Sequence, residues 1–117
     1  MKVLLQETIE CLINNGKDLT EVKWVGSKDG IRAITWAEFA DIAVFEYDSG
    51  FGGQKIASDL VIVGDNWWLE RNEYDGSEWW EFKALPIKMD NSTTFDRLAA
   101  RNYWETLQQI NSLEEEA

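Results

Sequence analysis

Residues 65–82 read Asp-Asn-Trp-Trp-Leu-Glu-Arg-Asn-Glu-Tyr-Asp-Gly-Ser-Glu-Trp-Trp-Glu-Phe, so two tandem tryptophan pairs flank an Asp-Gly dipeptide. Asp-Gly between alternating segments marks a two-residue hairpin turn, because both central positions need positive φ. Adjacent residues on a strand point to opposite faces, so each Trp-Trp pair must split between the two sides of a sheet. With the turn at Asp75-Gly76, the expected cross-strand pairs are Tyr74 with Ser77, Glu73 with Glu78, Arg71 with Trp80, Leu69 with Phe82 and Trp67 with Ala84. The face holding Trp67, Leu69, Trp80, Phe82 and Ala84 is the core face, with the Arg71 guanidinium over Trp80 as a cation–π contact. The other face carries Trp68, Glu70, Asn72, Tyr74, Ser77, Trp79, Glu81 and Lys83. There Glu70 opposes Glu81, a like-charge pair that costs stability unless a cation lies between them.

The remaining elements follow from periodicity and punctuation. Residues 2–14 place Leu5, Ile9, Leu12 and Ile13 at helical spacing, and Asn14-Asn15-Gly16 stops the helix. Residues 21–26 and 31–34 are β-prone and joined by Ser-Lys-Asp-Gly, with Val22, Trp24, Ile31 and Ala33 expected on one face. Thr35-Trp36-Ala37-Glu38 is a capping-box pattern opening a short helix. A glycine-rich loop spans residues 46–54, a buried strand residues 60–63, and two long strands residues 67–74 and 77–84. Pro86 ends the sheet region. Hydroxyls at Ser92-Thr93-Thr94 are expected to cap a long helix whose stripe is Phe95, Leu98, Ala99, Tyr103, Leu107, Ile110 and Leu113, ending in a frayed acidic tail at 113–117. The sum is a single α+β domain over residues 1–117, an antiparallel sheet of hairpins and meander with N-terminal and long C-terminal helices packed on it. Strand order is not derivable.

Composition narrows the chemistry. The 117 residues contain no histidine and one cysteine, which removes Ser-His and Cys-His nucleophiles, the usual neutral-pH base and ordinary zinc sites. Cys11 lies among apolar neighbours of the first helix and is expected to be core, in a reducing, cytoplasmic setting. No membrane span or signal peptide is expected. The loop at Gly50-Phe51-Gly52-Gly53 lacks the Lys-Ser or Lys-Thr of a phosphate loop, and Asp48 would repel a phosphate. Glu70 and Glu81, directly opposed, are too close to flank a sugar as a glycosidase pair. No catalytic residue, metal or cofactor is expected.

The net charge of −11 argues against direct binding of nucleic acid or anionic lipid and favours a basic partner. Indoles beside uncompensated carboxylates suit an arginine, a lysine or another organic cation, because ring quadrupole and carboxylate attract the same charge. The candidate partner-binding residues are therefore Trp68, Tyr74 and Trp79 as anchors, and Glu70, Glu73, Asp75, Glu78 and Glu81 as the field. Glu46 and Asp48 add a second acidic patch. The competing readings are that the long C-terminal helix or the glycine-rich loop covers Trp68 and Trp79, that exposed indoles bind a sugar or small ligand without chemistry, that the chain is an assembly protein, or that an exposed aromatic face joins a homodimer.

A compact, acidic, histidine-free domain with the Trp67-Trp68-Leu69-Glu70 to Trp79-Trp80-Glu81-Phe82 hairpin resembles the small accessory proteins of bacteriophages and prophages, anti-CRISPR inhibitors among them. The resemblance implies action in the host cytoplasm on a basic nucleic-acid-binding groove, such as that of a nuclease, with carboxylates standing where phosphates would lie. Duplex DNA carries roughly one charge per 1.7 Å of axis, the density such a mimic approximates.

Overall fold

The computed structural model describes residues 1–115. Contacts gather into two units, Met1–Leu85 and Pro86–Ala117. The first unit holds strand β1 (Lys2–Val3), helix α1 (Leu4–Asn14), a 3-10 turn (Leu19–Glu21), β2 (Trp24–Ser27), β3 (Ala33–Ile34), helix α2 (Trp36–Ile42), β4 (Glu46–Tyr47), β5 (Leu60–Val63), β6 (Trp67–Tyr74) and β7 (Ser77–Ala84). The second contains, among the described residues, one helix, α3 (Leu107–Glu115). The fold is α+β and its strand pairing is antiparallel throughout.

The main sheet runs β3-β2-β5-β6-β7, and β1 pairs separately with β4. The hairpin has the expected bounds and register, from Trp67 opposite Ala84 to Tyr74 opposite Ser77. Asp75 and Gly76 take the positive φ values, 51° and 87°, that the two-residue turn demands. One row crosses four strands on the core face: Val25 opposite Ile62, Ile62 opposite Leu69, and Leu69 opposite Phe82. Leu4 and Leu12 of α1, Phe39 of α2, and Ala43 just beyond it close over that face with Tyr47, Trp67 and Trp80.

Local chemistry sets the helix ends. In α2, Thr35 Oγ1 accepts from the Glu38 N–H at 3.1 Å while Glu38 returns a carboxylate to the Thr35 N–H at 3.0 Å, the expected capping box. Helix α1 stops at Asn15 and Gly16, the latter at φ 72°.

Three expectations change. Residues 2–3 belong to β1, so α1 starts at Leu4. Trp24 and Ala33 do share a face, since Gly26 stands opposite Ala33, but it is the face away from the core, whose β2 residue is Val25 at 0% exposure. The C-terminal helix begins at Leu107 instead of near Phe95, because a capping box forms at Thr106: its N–H donates to Gln109 Oε1 at 2.8 Å and its hydroxyl accepts from the Gln109 N–H at 3.2 Å. Upstream, the Arg101 and Asn102 N–H groups both bond Glu105, and Trp104 at φ 73° cannot lie in a right-handed helix. Leu113 to Glu115 of the expected tail are helical, and its last two residues lie outside the described ones.

Candidate functional site

Two faces of one hairpin receive opposite chemistry. On the core face, Arg71 and Glu78 are both buried, joined by an Nη2 to Oε2 bond of 2.8 Å. Arg71 Nη2 also donates to the Tyr47 hydroxyl at 3.0 Å, and Nη1 lies 3.5 Å from Glu7 of α1. The Tyr47 hydroxyl in turn donates to Glu7. Glu78 accepts further from the Lys55 and Ile56 N–H groups. The guanidinium stacks over Trp80 at 4.7 Å, as expected, and the Trp80 N–H donates to Thr8 at 2.9 Å. Burial opposes the Arg71 charge, but the bonds to Glu78 and Tyr47 outweigh it and raise its pKa. Burial, then the bond to Glu7, pushes the Tyr47 hydroxyl up to about 12.

This corrects one site assignment. Glu78 cannot meet a partner, because its carboxylate is the counter-ion of a core arginine. The sequence held a signal for it: an arginine in an apolar stripe needs a carboxylate within reach.

On the outer face, Trp68 and Trp79 are half-buried. Glu70 and Glu81 do face each other, but each has an internal cation: Lys28 lies 3.4 Å from Glu70 and Lys83 lies 3.5 Å from Glu81. The Trp68 N–H also donates to Glu70 at 2.7 Å, and that bond, with Lys28 beside it, holds the Glu70 carboxyl below the usual range. The expected uncompensated field over these indoles is therefore corrected to a neutralised one. Residues missed by sequence reasoning complete this face: Trp24, Lys28, Val61 and Val63 join Trp68 around a groove of about 260 Å³. They come from β2, the turn that follows it and β5, whose places in the sheet no local pattern reveals.

Within the hairpin, the acids without an ion pair lie at the tip, where the nearest ammonium shown is that of Lys55, 3.2 Å from where a Cβ on Gly52 would stand. Glu73, Tyr74 and Asp75 are exposed, and the glycine-rich loop rises against them. Ser49 accepts from the Glu78 N–H at 2.7 Å, and a Cβ on Gly76 would stand 3.5 Å from the Gly52 nitrogen. Phe51, 78% exposed in that loop with Asp48, thus stands beside the turn that follows Tyr74, 76% exposed at the end of β6. Glu73, Asp75 and Asp48 have no ion pair with lysine or arginine among the described residues. Glu46 goes elsewhere, lining a groove with Lys2, Glu7 and Glu10.

Cys11 is partly buried and its thiol is pushed up, first by burial and then by Glu7, so it is a poor nucleophile. Among the described residues no group of three or more His, Cys, Asp or Glu is placed to hold a metal ion, and no helix is long and apolar enough to cross a membrane. Comparison with known proteins gives no match to a family model, a curated protein or a solved structure.

Proposed function

We propose that this chain is a non-enzymatic binding protein that docks the acidic aromatic tip of its hairpin on a basic protein surface. One observation carries the reading: two highly exposed aromatic rings, Tyr74 at the end of β6 and Phe51 on the loop that abuts its turn, stand among the carboxylates of Glu73, Asp75 and Asp48, which have no ion pair among the described residues. Exposed rings become desolvated anchors on binding, while unpaired acids steer and orient a cationic partner. In its narrower form the partner is a nucleic-acid-binding protein, a nuclease among the candidates, inhibited by a phage-type mimic in the host cytoplasm. The single free cysteine suits that compartment.

The test is capture from bacterial lysate with wild type, with Phe51→Ala/Tyr74→Ala and with Glu73→Lys/Asp75→Asn. Asparagine at 75 keeps a side chain tolerant of positive φ. Wild type should retain a basic protein at low salt and release it at high salt, both variants should fail to retain it, and duplex DNA should compete. Capture that survives both variants refutes the tip.

A second reading rests on the groove between Trp24 and Trp68, floored by Val61 and Val63. Indoles over an apolar floor suit a flat sugar or aromatic ring, and such stacking is little screened by ions. Ligand quenching of indole fluorescence that is insensitive to salt and lost in Trp68→Ala would favour this reading.

A further inference from the structure

We infer that β7 is a self-pairing edge, and that two copies of this chain join their five-stranded sheets there about a two-fold axis. Strand β7 is the last strand of the sheet. Its hydrogen-bonding phase is set at both ends: the Leu85 N–H turns inward to Asn66, and the Glu78 N–H turns outward to Ser49. Between them the backbone groups of Trp80, Phe82 and Ala84 face outward, with no backbone partner among the described residues. An open ladder of this kind is a template for another strand.

The side chains select the strand and the register. In an antiparallel pairing centred on Phe82, Phe82 meets its own copy, Trp80 meets Ala84, and all the outward groups of these residues bond at once. On the outer face the same register sets Glu81 opposite Lys83 of the second copy, and Lys83 opposite its Glu81. The 54%-exposed Leu85 meets Trp79 of the other copy. The ladder ends there: the place opposite Glu78 is already filled by Ser49, and Pro86, which has no N–H, could not extend it. The alternative register centred on Glu81 opposes Glu81 to Glu81 and is repelled. An edge lysine ordinarily blocks pairing; here it meets a carboxylate and specifies the copy. Edge pairing alone covers less than the roughly 1,000 Å² of a permanent interface, so the dimer is concentration-dependent.

The full chain tests this in sedimentation velocity. Wild type should move from 13.5 kDa toward twice that mass as concentration rises. Glu81→Lys and Lys83→Glu, each alone, place like charges together twice and should raise the dissociation constant by about tenfold or more. The combined swap should restore dimerisation. Glu81→Lys stands opposite Glu70, so its thermal stability should hold, separating lost pairing from lost folding. A monomer at millimolar concentration, a dimer indifferent to either single reversal, or a dimer dissolved only by Phe51→Ala/Tyr74→Ala would overturn the inference.

Discussion

Glu70 and Glu78 belong to the same hairpin, and the odd spacing of their registers, Glu70 opposite Glu81 and Glu78 opposite Glu73, sends them to opposite faces. Glu78 is the costlier to lose. Glu78→Ala leaves Arg71 buried beside a weaker partner and should reduce stability by about 3–5 kcal/mol in urea denaturation. Glu70→Ala removes a partly exposed pair and should cost about 1 kcal/mol or less. Tyr47 gives a pH signature. Its folded pKa, about 12, lies above the ordinary 10, so its contribution is whole below pH 10 and is lost as pH rises from 10 toward 12. In Tyr47→Phe that part of the alkaline loss should vanish, and absorbance titration of wild type should show one of the three tyrosines ionising late. At this scale the sequence disclosed the Arg71 stack on Trp80, since alternation alone aligns them. It did not disclose Tyr47 or Glu7, which reach the guanidinium from distant segments.

At the scale of elements, the hairpin was legible to the residue because an Asp-Gly turn sets register and paired indoles mark both faces. Strand β5 was equally plain as a short apolar run. The C-terminal helix was not, because the apolar stripe from Phe95 to Leu113 satisfies helical spacing, while the Thr106 to Gln109 capping box is the stronger local statement. Strand order escaped altogether, since pairing of β2 with β5 spans a helix and a loop. On its other edge β2 meets β3 by a close backbone approach. A Cβ on Gly26 would lie 1.9 Å from the Arg32 carbonyl oxygen, so Gly26→Ala should pry β3 from β2 and cost about 3 kcal/mol in thermal or urea unfolding.

For the whole molecule, eleven excess negative charges act on folding and on binding with opposite salt dependence. Screening relieves self-repulsion in the folded chain, so moving from about 50 to about 500 mM NaCl should raise the melting temperature by a few degrees in calorimetry. The same change should weaken docking of the tip. The acidity was evident from composition; its arrangement was not, because only the fold decides which acids meet Lys28, Lys83 or Arg71 and which are left at the tip. The buried arginine cluster has a temporal meaning as well. Its members stand at positions 7, 47, 71 and 78, so a nascent chain emerging from the ribosome holds the first carboxylate long before the cation and the last carboxylate exist. Such separation makes the closing step non-local and late. Two-thirds of the protein must therefore wait, loosely organised, for the turn at Asp75-Gly76 to be translated before the interior can lock.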